Sequence, residues 1–157
     1  MSSRRFIGGL SALLIAVSLF SCTKNGSGHN DPKQRLTDYI SQSFSIKSPD
    51  DRAKLVAYLA GGAKNRLIAW NDEQFRQAFL DTKRTFIKLA IREVKALSNT
   101  ETNLTYELTY IDQTKGSDTR VTNKRMCEMV LENGIWQIRE VHNIKELIEY
   151  KNEMSLP

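Results

Sequence analysis

The chain has 157 residues, 40% of them hydrophobic and 26% charged, which is the composition of one globular domain and excludes a disordered or collagen-like polymer. Its 23 Lys and Arg exceed 18 Asp and Glu for a formal charge of +5, but the excess is spread thinly and supplies no basic stripe interleaved with exposed aromatics, so nucleic acid is not an expected partner. Two cysteines are too few for a disulfide framework. Zinc-ligand, phosphate-loop and serine–histidine–aspartate signatures are absent, so no metal, no cofactor and no catalytic residue is expected.

Arg4 and Arg5 precede an apolar run over residues 6–20, which closes on Leu19-Phe20-Ser21-Cys22. A bilayer span needs roughly 20 apolar residues, and this run is shorter and contains Gly8, Gly9, Ser11 and Ser18. Its length fits the apolar core of a secretory signal, about 7–15 residues between a basic start and a small-residue cleavage site. The order of basic start, short apolar core, small residue and cysteine resembles the signal peptide and lipobox of bacterial lipoproteins. That resemblance implies lipidation of the Cys22 sulfur, cleavage after Ser21, and an acylated cysteine as the new N-terminus. Each buried methylene contributes about 0.8 kcal/mol, so several acyl chains hold a protein to the membrane where one would not. Thr23 follows the cysteine, and by the same resemblance the protein is expected in the bacterial cell envelope, on the outer membrane facing the periplasm.

The expected organisation is a signal peptide over 1–21, the lipidated cysteine and a flexible tether over 22–30, and a single domain over 31–157. The tether is polar and contains Gly26, Gly28 and His29. With Cys22 lipidated, Cys127 has no partner, and it is expected to be a buried structural thiol rather than a reactive one.

Within the domain, Asp31 and Pro32 read as the cap and first position of a helix whose apolar face is Leu36, Tyr39, Ile40 and Phe44. Ser48, Pro49, Asp50 and Asp51 start a second, which Gly61 and Gly62 are expected to end. A short helix is expected over residues 64–69. Asn71 and Gln74 form a capping box for the next, with Phe75, Ala78 and Phe79 turned inward.

The period then changes from 3.6 to 2. Ile87, Leu89 and Ile91 alternate with polar neighbours until the parity slips at Arg92 and Glu93, which predicts a bulge. The cations Lys83, Arg84, Lys88, Arg92 and Lys95 read as a solvated strand face. Leu104, Tyr106, Leu108 and Tyr110 mark a second strand, and Val121, Cys127, Met129 and Leu131 a third. Asn133-Gly134 predicts a tight hairpin turn into Ile135-Trp136-Gln137-Ile138. After His142, the Asn143–Glu146 pair and the spacing of Ile144, Leu147 and Ile148 predict a short C-terminal helix.

Helices followed by a meander of long strands make an α+β fold, with the N-terminal helices packed on a curved antiparallel sheet. The helices-first order, the bulged strands and the Gly134-Ile135-Trp136 closing hairpin resemble the nuclear transport factor 2-like (cystatin-like) superfamily, and in particular its small bacterial lipoproteins of unknown function. The resemblance covers residues 32–142 and implies a cone-shaped sheet enclosing a pocket. By strand parity Tyr106, Tyr110, Asn123, Arg125 and His142 are the candidate polar lining of such a pocket, with Arg125 as the partner of an anionic ligand. The alternative for Arg125 is a place on the sheet's rim, its stem covering apolar surface. The function expected first is a non-enzymatic binding or accessory module that reaches the membrane through its lipid and meets an envelope protein or a small anionic ligand. A ligand-binding or enzymatic pocket is the second reading.

Overall fold

The computed structural model describes residues 31–150. The signal, Cys22 and the tether lie outside the described residues, as do residues 151–157. The elements are α1 (Pro32–Phe44), a 3₁₀ turn (Pro49–Asp51), α2 (Arg52–Val56), α3 (Gly61–Ala69), α4 (Asp72–Phe79), β1 (Arg84–Ala96), β2 (Glu101–Asp112), a second 3₁₀ turn (Gln113–Lys115), β3 (Arg120–Glu132) and β4 (Ile135–Glu149). The strands form one antiparallel sheet in sequence order, β1-β2-β3-β4, which does not close on itself. Among the described residues the fold is α+β, four helices followed by four strands.

Local chemistry sets the helix starts. The Asp31 carboxylate accepts from the Lys33 amide at 2.9 Å, with Pro32 in the first turn of α1. Asn71 and Gln74 cap α4 reciprocally, Gln74 N to Asn71 Oδ1 at 2.8 Å and Asn71 N to Gln74 Oε1 at 3.0 Å. α2 ends at Val56, short of the glycines expected to stop it. The chain then runs extended beside β4, where Ala60 N donates to Ile138 O at 2.8 Å and Ile138 N to Tyr58 O at 2.9 Å. Gly61 therefore opens α3 rather than closing α2. It holds φ +49°, a conformation that favours glycine, and a Cβ there would lie 3.1 Å from the Arg139 side chain, which would have to give way.

The strands show why one face of the sheet carries the core. β2 alternates without interruption, burying Leu104, Tyr106, Leu108 and Tyr110. Leu104 pairs with Cys127 and Tyr106 with Arg125 across β3. Leu36, Ile40, Leu55, Leu67 and Phe75 from the helices meet these side chains in one core. β1 is bulged at two places, between Phe86 and Lys88 and between Ile91 and Glu93, the second where the parity slip predicts it. The hairpin between β3 and β4 turns on Asn133 (φ 52°) and Gly134 (φ 78°), the two positive φ values of a tight hairpin turn.

The C-terminal helix expected after His142 is absent. β4 continues as strand to Glu149 and pairs along β3 back to Arg120. β3 has 13 residues, and its first half would leave its outer backbone groups unpaired without that extension. The ladder overrides a helical spacing and a capping-box look-alike that are both only local.

Candidate functional site

A cavity of about 210 Å³ lies between the helices and the covered face of the sheet. α1 supplies Tyr39, Ile40, Ser43 and Phe44, and α4 supplies Ala78 and Phe79. Thr82 and Arg84 come from the entry to β1, Tyr106 and Leu108 from β2, Arg125 from β3 and Val141 from β4. Most of the wall is aromatic or aliphatic, its two charged residues are both arginine, and no carboxylate lines it.

The strand parity of β3 places Arg125 on this wall, between buried Asn123 and buried Cys127. The guanidinium is only partly satisfied. It lies beside Tyr106, its partner across the β2–β3 ladder, and with the Asn123 amide turned to satisfy its neighbours its Nη2 reaches the Asn123 amide oxygen at 3.3 Å. Its Nε is buried and has no hydrogen-bond partner. Native structures leave few such donors orphaned, and each costs about 1–3 kcal/mol.

Behind the wall sits a polar relay. Oriented to satisfy all its neighbours, the Asn123 amide donates to Glu146 Oε2 at 2.9 Å and accepts from the Tyr110 hydroxyl at 3.1 Å as well as from Arg125. Glu146 also meets Lys115 Nζ at 3.3 Å. Tyr110 and Asn123 thus hold Arg125 from behind without lining the cavity.

Burial raises the pKa of the Tyr106 hydroxyl, with Arg125 pulling the other way, and burial raises that of Tyr39 too. Both stay protonated at neutral pH. Burial pushes the Cys127 thiol up to about 12, so its sulfur is not a nucleophile at neutral pH.

The five residues singled out by strand parity therefore separate. Tyr106 and Arg125 line the cavity, and Tyr110 and Asn123 support it. His142 does not join them. The pairing of β4 shifts by one residue between Met129 and Glu128, where Ile138 faces Met129 and Glu140 faces Glu128. That bulge at Arg139 inverts the alternation, so Val141 turns to the cavity and His142 to the uncovered face. There His142 is exposed, and its Nε2 lies 2.9 Å from Glu128 Oε1. Glu128 also pairs with Arg139, which reaches Glu101 at 2.6 Å.

Two contributors escape the sequence reading. Arg84 is not part of a solvated strand face. Its Nε donates to Thr82 Oγ1 at 2.9 Å, its Nη2 donates to the Ala78 carbonyl, and its guanidinium stands 5.7 Å from the Tyr110 ring centroid. Glu146 falls in the segment expected to be helical, and only a continued strand brings it to Asn123. Among the described residues, no group of three His, Cys, Asp or Glu is placed to hold a metal ion.

No family model matches the chain, and no curated protein matches it. Among solved structures, it is similar to the crystal structure of the intermembrane space region of chloroplast protein ARC6, at a TM-score of 0.53 and 14% identity. The match covers 74% of this chain and 95% of that one. At that identity the likeness is one of fold.

Proposed function

We propose that the protein is a lipid-anchored module of the bacterial cell envelope that binds a small anionic ligand without transforming it. The unpartnered Nε of Arg125 on the cavity wall carries this reading. A carboxylate is the group that best satisfies such a donor, because a hydrogen bond from a guanidinium N–H to an ionised oxygen is charge-assisted. The aromatic wall covers the ligand's apolar body, and protonated Tyr106 adds a donor. Histidine and carboxylate side chains do not line the cavity, which favours recognition over acid–base chemistry.

The nuclear transport factor 2-like assignment belongs to the same proposal. It draws support from the helices-first order, the bulged strands, the Asn133-Gly134 turn and a cavity between the helices and the sheet. Attachment through Cys22 and a place on the outer membrane facing the periplasm rest on the lipobox-like run and on Thr23. An envelope protein remains the expected partner if the accessory role is served by the uncovered sheet face.

Thermal-shift titration with small monocarboxylates tests the binding reading. The wild-type midpoint should rise and that of Arg125→Ala should not. Wild-type protein that shows no rise with any of them at millimolar concentration overturns it.

A further inference from the structure

A second, larger groove of about 480 Å³ abuts the cavity. Phe44, Phe79, Thr82 and Arg84 line both, so the aromatic wall of the inner chamber continues outward. The groove adds Lys47 and Lys83 to Arg84, and no carboxylate lines it. Arg84 is committed to Thr82 and Ala78, so it acts as a fixed positive point at the junction. Lys47 and Lys83 are exposed, and among the described residues neither is in an ion pair, whereas Lys54 and Lys115 are.

Taken together, the cavity and the groove have the unpartnered Arg125 Nε at the inner end, an aromatic middle and two unpaired ammonium groups at the mouth. We infer that the ligand is elongated and carries an anionic group at each end, the inner one at Arg125 and the outer one at Lys47 and Lys83, as in a linear dicarboxylate. This rests on the reading of Arg125 as an anion site. A monoacid would fill the inner chamber and leave the mouth cations to solvent. A second carboxylate would gain from both lysines at little cost in desolvation, because the mouth is open to water.

Equilibrium binding of linear mono- and dicarboxylates of six, eight and ten carbons tests this, using the full-length protein in lipid nanodiscs with empty nanodiscs as the blank. At low ionic strength at least one diacid should bind about fivefold more tightly than the monoacid of equal length, the scale of two exposed ion pairs. That advantage should shrink in high salt, which screens the exposed pairs. In Lys47→Gln/Lys83→Gln the affinity for the favoured diacid should fall toward that of the monoacid. Monoacids that bind through Arg125 with no diacid advantage at any length, or an advantage that survives the double substitution, overturn the two-ended ligand and leave the anion site standing. If neither class binds, the anion site fails and this inference with it.

Discussion

Arg35 Nε, in α1, donates to the carbonyl oxygen of Trp136, in β4, at 3.0 Å, across 101 residues of sequence. The same guanidinium donates to the Ala57 carbonyl and stacks 4.0 Å from the Tyr58 ring centroid. One buried cation therefore ties the first helix, the end of the second and the last strand together, and it fixes the floor on which α1 presents Tyr39 and Phe44 to the cavity.

Arg35→Met keeps the stem and removes every donor, leaving two carbonyls without this partner. We expect a loss of about 3 kcal/mol in urea unfolding, the scale of stranded buried acceptors that had a charged donor. Arg35→Lys should recover only part of it, because a single ammonium does not reproduce the planar fork. A change within about 0.5 kcal/mol for Arg35→Met, the range of ordinary surface substitutions, would remove the residue from the framework.

Glu140 gives the fold an acid-sensitive point. Its carboxylate takes two hydrogen bonds from the Arg66 guanidinium, one of them at 2.8 Å. That pairing, helped by the Val141 amide, holds its pKa down to about 2 from the usual 4.5. A depressed carboxyl stabilises the fold fully above its unfolded pKa, and the contribution is lost as pH falls from about 4.5 to about 2. The pair is partly exposed, so solvent limits it to about 1 kcal/mol at most. Glu140→Gln should lower stability by up to that amount at neutral pH and show a shallower decline across the acid window. Urea midpoints between pH 7 and pH 2 measure both slopes, and parallel curves would show that the pair contributes nothing.

Where the sequence signal was local, it carried to the structure. Asp31, Asn71 and Gln74 act within one helical turn, and Asn133-Gly134 acts within one hairpin, so each works through neighbours already adjacent in the chain. The alternation of Leu104, Tyr106, Leu108 and Tyr110 is equally direct, since a strand buried on one face writes its orientation every second residue. The failures share one cause. Ile144, Leu147 and Ile148 have helical spacing, yet the partner that decides their state is β3, 20 or more residues back. His142 is expected on the covered face by strand parity, and the bulge at Arg139 inverts that parity before the chain reaches it. Arg84 has the sequence context of a solvated strand, and its hydrogen bonds to Thr82 and to the Ala78 carbonyl at the end of α4 are what hold it at the cavity.

The anchor proposal has a direct test at Cys22. Thioether formation precedes cleavage in the lipoprotein pathway that the Leu19-Phe20-Ser21-Cys22 run resembles. Cys22→Ala should therefore accumulate as an uncut precursor and fail to label with a palmitate analogue. A Cys22→Ala protein that fractionates with membranes at the processed size would overturn the lipid anchor, and with it the expected outer-membrane location.

The last test concerns which residue organises the relay behind Arg125. Asn123 is 3% exposed and meets Tyr110, Arg125 and Glu146. The Glu146 side chain is 46% exposed and also pairs with Lys115. Removing the buried amide takes a partner from the Tyr110 hydroxyl and from Arg125 Nη2, whereas removing the outer carboxylate lets water take its place beside Asn123. Asn123→Leu should therefore cost about 1–3 kcal/mol, and Glu146→Ala no more than about 1 kcal/mol. The two substitutions should also differ in binding. Without the Asn123 oxygen, Arg125 loses the contact that holds its Nη2, so Asn123→Leu should weaken carboxylate binding even in conditions where the domain is fully folded. Glu146→Ala should leave binding closer to wild type, because Asn123 still holds the guanidinium. Equal effects of the two on binding, measured well below both unfolding midpoints, would mean that the whole relay rather than Asn123 sets the position of Arg125.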